Sequence, residues 1–188
     1  MSDYQFINNY LDDFSKFIKP NTELIENLIK IRNLIVDTKK NRKKVLIFGN
    51  GGSSAIASHF TVDLIKNTQT QCLNFNEAAL ITCFANDYGY ERWVEKAIDF
   101  YGNEGDLLIV ISSSGCSENM LNAVTAAKNG NFNSVVTLSG FSNDNPLSKL
   151  GDINLWANSK SYNFVENIHQ IWLLTVVDLL ISSSKNFE

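Results

Sequence analysis

At 188 residues and 44% hydrophobic composition, the chain is long enough to bury one good core and too short for two ordinary domains. Its net charge of −4 gives no overall attraction to nucleic acid or to an anionic membrane surface. Three cysteines without a CxxC pair favour a reducing compartment over a disulfide framework. Because the N-terminus does not resemble a signal peptide and no apolar run suggests a membrane span, we expect a cytoplasmic protein without a membrane partner.

The first 40 residues predict a pair of helices. Apolar residues recur every three to four positions over residues 3–18, which is the spacing of an amphipathic helix, and Pro20 stops it. A second helix is predicted over residues 22–37.

From residue 45 onward, strand-like and helix-like segments alternate. Residues 45–48 form a continuous apolar block, typical of a buried strand in a parallel sheet. Further strands are predicted at 72–75, 107–111, 134–138 and 153–157, and helices at 54–65, 77–85, 91–101, 118–128 and 163–181, with a turn at 86–90. This alternation predicts an α/β fold with a doubly wound parallel sheet flanked by helices, in which ligands bind outside the carboxyl ends of the strands.

Two glycine- and serine-rich turns stand at such strand ends, over residues 49–54 (GNGGSS) and 112–117 (SSSGCS). A helix N-terminus offers unpaired N–H groups and a positive dipole end, glycine admits an oxyanion closely, and serine hydroxyls add donors. The alternative is that these residues only shape the turns, with Ser112 or Ser117 as helix caps. Two such turns in one small domain favour a phosphorylated ligand.

The turns do not match the common nucleotide motifs. Ser54 stands where a dinucleotide fingerprint needs its third glycine, and no acidic residue follows about twenty positions later. Neither turn supplies the lysine of a P-loop. We therefore expect no nucleotide cofactor, and a phosphate monoester on a small polar body such as a sugar.

Four segments, FGNGGSSAIASHFTVDL, ANDYGYE, ISSSGCSEN and NFVENIH, occur in this order along the chain. Together they resemble the SIS (sugar isomerase) domain family, and within it most closely the phosphoheptose isomerases. The resemblance covers nearly the whole chain. It implies a single SIS domain over residues 1–188, with residues 1–40 as helices for core and oligomer packing. Residues 45–188 would form a flavodoxin-like three-layer core that binds a sugar phosphate.

The resemblance also implies an activity, which is the interconversion of sedoheptulose 7-phosphate and D-glycero-D-manno-heptose 7-phosphate for heptose and lipopolysaccharide synthesis. It implies a homotetramer as well. The implied phosphate-binding residues are Ser112, Ser113, Ser114 and Ser117, and the implied sugar-binding residues are Asn50, Gly51, Gly52, Ser53, Asn86 and Asp87.

Close family members bind zinc through residues on two helices, and this chain departs from their pattern. It keeps His59, but it has Asp63 where the family has glutamate and Glu166 where the family has glutamine. The family's last histidine falls on Leu174, whereas His169 is expected to have a structural or a subunit-contact role. His59, Asp63 and Glu166 would then form either a three-ligand zinc site with an open position or an acid/base set without metal.

Two functions therefore stay open. Aldose–ketose isomerisation needs groups that take and deliver a proton, which Leu174 cannot do, and Asp63 is one methylene shorter than glutamate. The first reading is a phosphosugar isomerase in which Asp63, His59 and Glu166 are catalytic. The second is a non-catalytic SIS protein that binds a sugar phosphate or a protein partner, such as a replication-initiator-associating regulator.

Overall fold

The computed structural model of the chain describes residues 1–185, with side chains described up to residue 183. The helices are α1 (Asp3–Phe17), α2 (Thr22–Lys40), α3 (Gly52–Thr68), α4 (Ala78–Tyr88), α5 (Trp93–Tyr101), α6 (Glu118–Asn129) and α7 (Tyr162–Lys185). The strands are β1 (Val45–Gly49), β2 (Cys72–Leu73), β3 (Leu107–Ser112), β4 (Ser134–Ser139) and β5 (Ile153–Trp156). All neighbouring strands are parallel, in the order β2-β1-β3-β4-β5, which confirms the predicted α/β fold.

The sheet is buried on both faces, as the continuous apolar strands predict. Alternate residues of a strand point to opposite faces, so Val45 and Ile47 pack with α2, α3 and α7, whereas Leu46 and Phe48 pack with α5 and α6. Two apolar cores thus lie between three layers, with helices outside and the sheet in the middle.

The order of the strands places the two glycine- and serine-rich turns side by side. β1 pairs directly with β3, and Gly49 at the end of β1 pairs with Ile111. After β1 the chain enters α3 on one face of the sheet, and after β3 it enters α6 on the other face. Doubly wound sheets bind ligands at the point where two connections diverge in this way, so this position, here named the β1–β3 crevice, is the expected ligand site.

The predicted turn at residues 86–90 is wrong in its first half. α4 continues through Asn86 and Asp87 to Tyr88, and it ends at Gly89 with φ +89°. The helix ends there because Gly89 adopts a positive φ without strain, whereas Asn and Asp are tolerated in a last helical turn. The following helix also begins at Trp93, two residues later than predicted.

The expectation that no apolar segment reaches membrane-spanning length is wrong for α7. Its stretch Tyr162–Ser183 has a mean hydropathy of 1.4, long and apolar enough to cross a membrane by composition alone, but half of the window is buried in the protein. Val165, Leu173 and Val176 pack into the core with α2 and α3. We therefore interpret α7 as the core helix of this fold.

A buried ion pair fixes the amino ends of the two central strands. The Asp106 side chain is 1% exposed, and its carboxylate accepts hydrogen bonds from the Lys44 ammonium at 2.5 Å and the Lys44 backbone N–H at 3.0 Å. The Asn103 N–H donates to the same carboxylate at 2.8 Å. These contacts satisfy a charge that would be costly to bury alone.

We predict that Asp106→Ala lowers the free energy of unfolding by about 3 kcal/mol, because it leaves the Lys44 ammonium and the Asn103 N–H without their partner. Urea denaturation measures this loss. The control is Asp99→Ala, which removes a surface carboxylate paired with Lys96 and should change stability much less. Equal losses for the two variants would contradict the structural role of Asp106.

Candidate functional site

The turn after β3 concentrates serine hydroxyls at the carboxyl end of the sheet. The hydroxyl of Ser112 donates to Ser117 at 3.1 Å, and the hydroxyl of Ser114 accepts from the Cys116 N–H at 3.2 Å. The Ser113 hydroxyl is buried and has no hydrogen-bond partner among the described residues. Ser117 stands at the N-cap of α6 without making a side-chain capping bond. These hydroxyls are therefore not used up as helix caps.

A loop after β4 braces this turn. The buried Asn145 amide donates to the Ser139 hydroxyl at 3.1 Å and to the Ser142 carbonyl at 2.7 Å. Gly115 has φ +67°, and a Cβ there would collide with the Asn145 side chain. The Leu147 N–H donates to the Gly115 carbonyl at 3.0 Å. The hydrogen bonds of Asn145 are local, and its approach to Gly115 joins this loop to the serine turn, a contact that no sequence pattern predicts.

The turn after β1 leaves the start of α3 without a side-chain cap. Gly51 occupies the N-cap position with φ +54°. Ser53, a predicted sugar-binding residue, is buried, and a Cβ on Gly49 would collide with it. The free N–H groups at this helix start are therefore available to an anion or a polar oxygen.

Asn50 joins the two turns. Its amide nitrogen donates to the Asn119 oxygen at 3.0 Å, and the Asn119 amide donates back to the Asn50 oxygen at 3.0 Å. The Tyr90 hydroxyl also donates to the Asn50 oxygen at 3.1 Å. The sequence predicted Asn50, but it gave no signal for Asn119 or Tyr90 as its partners.

Asn86 and Asp87 lie on the exposed last turn of α4. The Asn86 amide donates to the Asp87 carboxylate at 2.8 Å, and the Cys83 thiol donates to that carboxylate at 3.6 Å. These contacts are local. Among the hydrogen bonds between described side chains, Tyr90 is the residue that connects this segment to the first turn.

Glu166 lies against the first turn. A Cβ on Gly52 would collide with the Glu166 carboxylate, so the absence of a side chain at residue 52 creates the space that this carboxylate fills. α3 and α7 pack closely enough for this contact because Phe60 and Leu64 from α3 share the core with Leu173 from α7. The structure thus brings a titratable group beside Gly52 in the predicted sugar-binding turn.

His59 and Asp63 form a pair further along the same helix. The His59 Nε2 lies 3.3 Å from the Asp63 carboxylate, one helical turn away. The Gln170 amide nitrogen lies 3.3 Å from the His59 Nδ1. Both ring nitrogens of His59 therefore have polar neighbours within this chain. Gln170 from α7, which is not among the predicted site residues, is one of them.

The three predicted zinc ligands do not converge within one chain. Residues 1–183 contain no group of three His, Cys, Asp or Glu side chains placed to hold a metal ion. Glu166 lies at the level of Gly52, and His59 lies seven residues further along α3, which is about 10 Å of helix. The donor set of a single chain therefore does not fit zinc.

His169 lies in the core below the second turn. Its side chain is fully buried, and its Nε2 lies 3.0 Å from the Ser139 carbonyl, to which it donates. Burial disfavours the charged ring and lowers the pKa of His169 to about 4. This placement agrees with the structural role predicted for His169.

The low pKa of His169 predicts acid sensitivity. Its folded pKa of about 4 lies below the ordinary 6.5, so between these values the unfolded chain binds the proton and the folded chain does not. Stability from this group is complete above pH 6.5 and is lost as the pH falls toward 4. We expect a loss of about 2 kcal/mol in unfolding free energy between pH 7.5 and pH 5.

The check is chemical denaturation at both pH values. His169→Gln keeps an amide that can donate to the Ser139 carbonyl and removes the titrating ring, so its loss between the two pH values should be smaller by that amount. His59→Gln, at an exposed position, is the control and should keep the dependence of the unmodified chain. An unchanged dependence in His169→Gln would exclude His169 as the source.

Comparison with known proteins agrees with this geometry. Residues 5–140 match the model of the SIS domain family, and the chain belongs to that family. A phosphoheptose isomerase of Coxiella burnetii (strain Dugway 5J108-111) is 32% identical over 180 residues, with 89% of this chain and 90% of the relative covered. A phosphoheptose isomerase of Aliarcobacter butzleri (strain RM4018) is 33% identical over 161 residues, with 82% and 84% covered.

A solved structure extends the likeness to the whole fold. The structure of a phosphoheptose isomerase from Francisella tularensis matches this chain with a TM-score of 0.85 at 29% identity. The match covers 96% of this chain and 98% of that one. The resemblance predicted from the four sequence segments is therefore confirmed, and the relatives are sugar-phosphate isomerases by name.

Proposed function

We propose that this chain is a phosphosugar aldose–ketose isomerase that converts sedoheptulose 7-phosphate into D-glycero-D-manno-heptose 7-phosphate, a precursor for heptose and surface polysaccharide. One observation carries the proposal. Two polar turns meet at the β1–β3 crevice, are joined by the Asn50–Asn119 pair, and have the Glu166 carboxylate against one of them. Named relatives with this fold support the same class of reaction.

The second turn is assigned to the phosphate. The hydroxyls of Ser112, Ser113, Ser114 and Ser117 stand at the start of α6, where the helix dipole favours an anion. This assignment requires no lysine or arginine, because serine hydroxyls and free N–H groups at a helix start can donate to a phosphate. A monophosphate fits this arrangement better than a polyphosphate, which recruits a lysine or a metal ion.

The first turn is assigned to the reacting end of the sugar. Isomerisation moves a proton from the carbon beside the carbonyl to the carbonyl carbon through an enediol intermediate. Glu166 as a carboxylate takes that proton and returns it to the neighbouring carbon, so the residue ends unchanged. His59 and Asp63 lie about 10 Å of helix away from Glu166, so they can join the proposed acid/base set only at a site that a second copy of the chain completes.

The test is the incubation of the purified chain with sedoheptulose 7-phosphate, with and without added zinc, while aldose formation is followed. Glu166→Ala should lower kcat by about a hundredfold or more, because no side-chain group remains there to take the proton. Asp63→Ala should lower kcat as well, by a smaller factor. The matched controls are Glu26→Ala on α2 and Asp178→Ala on α7, which should keep full activity.

A second candidate is a sugar-phosphate-binding protein without catalysis. It is favoured by Leu174 at the family's histidine position and by the separation of Glu166 from His59. Saturable binding of the sugar phosphate without turnover, in both zinc-free and zinc-supplemented protein, would establish this candidate and overturn the isomerase.

We also propose that the protein is a homotetramer. α1 has no buried residue in the single chain, and its Phe6 and Leu11 side chains are 59% and 60% exposed. Val62 and Ile171 are exposed beside the His59–Asp63 pair. Apolar side chains in such number are expected to be covered. A second copy over α3 and α7 would also exclude water from the His59–Asp63 pair.

The expected result is a tetramer mass by light scattering after gel filtration. The double substitution Phe6→Asp and Leu11→Asp should shift the mass toward smaller species, because it places charge in the covered face. Asn9→Asp on the same helix adds one charge at an exposed polar position and serves as the control. A monomeric unmodified chain at micromolar concentration would contradict the assembly.

A further inference from the structure

We infer that Asn119 and Tyr90 are positioning residues that lock the Asn50 amide as a hydrogen-bond donor toward the ligand. This inference rests on the proposed function and deepens it. It names the ligand atom that Asn50 recognises, an acceptor oxygen at the reacting end of the sugar, and it assigns roles to two residues outside the predicted site.

The lock begins with Asn119. This side chain is 3% exposed and lies in the first turn of α6. Its amide and the Asn50 amide exchange two hydrogen bonds of 3.0 Å each. Rotation of Asn50 away from this arrangement would break both bonds and leave the buried Asn119 group unpaired, which is unfavourable.

Tyr90 completes the lock from the other side. Its hydroxyl donates to the Asn50 oxygen at 3.1 Å, although the Tyr90 side chain is 54% exposed. The Asn50 oxygen then accepts two hydrogen bonds, which uses both of its lone pairs. The Asn50 nitrogen has two hydrogens and gives one to Asn119. One N–H of the Asn50 amide therefore remains for a ligand, whereas its oxygen has no lone pair left to accept a hydrogen bond.

The consequence is chemical selectivity. A ligand atom that faces Asn50 must be an acceptor, such as a carbonyl or hydroxyl oxygen. During isomerisation the carbonyl oxygen gains negative charge as the enediol forms, and a fixed donor stabilises that charge more than the ground state. Asn119 lies two residues after Ser117, so one helical turn carries both the lock and a phosphate-binding serine.

The experiment measures the affinity of the full chain for two probes, sedoheptulose 7-phosphate and inorganic phosphate, by calorimetry. Tyr90→Phe and Asn119→Ala should each weaken binding of the sugar phosphate by about two- to tenfold, the effect of one neutral hydrogen bond. Binding of inorganic phosphate, which needs only the serine turn, should stay unchanged. Tyr4→Phe on α1 and Asn129→Ala at the end of α6 are the matched controls and should behave as the unmodified chain.

A double-mutant cycle separates positioning from general damage. In an Asn50→Ala background, Tyr90→Phe should have no further effect, because Tyr90 acts through Asn50. Tyr90→Phe keeps the test available if Asn119→Ala fails to fold, since Tyr90 is exposed. Equal weakening of both probes, additive effects in the cycle, or unchanged sugar-phosphate binding in Tyr90→Phe would each overturn the inference alone. An unmodified chain that binds inorganic phosphate but no sugar phosphate would overturn the proposed function with it.

Discussion

The parallel pairing of β1 with β3 is the constraint on which the rest of the site depends. It aligns the ends of two strands, so that the turns at residues 49–54 and 112–117 begin at the same level. α3 and α6 leave toward opposite faces, and the Asn50–Asn119 pair joins the starts of the two helices at this edge of the sheet. The buried Lys44–Asp106 pair ties the other ends of the same two strands together. The pairing of the strands and the buried ion pair at their amino ends thus position the polar turns at their carboxyl ends.

Much of this arrangement could be predicted from local sequence. Continuous apolar blocks such as residues 107–111 predict buried parallel strands, and glycine and serine after them predict turns that can hold an anion. The fold class and the pair of turns follow from such signals. The predicted end of α4 was wrong. Asn86 and Asp87 resemble turn residues in the sequence, but the helix continues to Tyr88 and ends at Gly89, which has a positive φ.

The partners inside the site could not be predicted, since they depend on contacts between distant segments. Asn119 meets Asn50 across 69 positions, and Gln170 meets His59 across 111. Neither pair leaves a periodic pattern, and asparagine or glutamine on a helix is common on any surface. The contact between His59 and Asp63 is different, because residues four apart on one helix face each other. The position of Glu166 required the packing of α7 against α3, which sequence periodicity does not determine.

The distribution of charge explains how such a site can bind an anion in an acidic protein. The two turns present hydroxyls, amides and backbone N–H groups, so attraction comes from oriented dipoles and not from net charge. The Glu166 carboxylate lies at the first turn and repels a second anion there, while the serine turn stays free of carboxylates in its hydrogen bonds. In the proposed function, the serine turn would therefore take the phosphate and the first turn the neutral sugar carbon that loses a proton. This difference between the two turns is the physical reason for the direction proposed for a sugar phosphate across them.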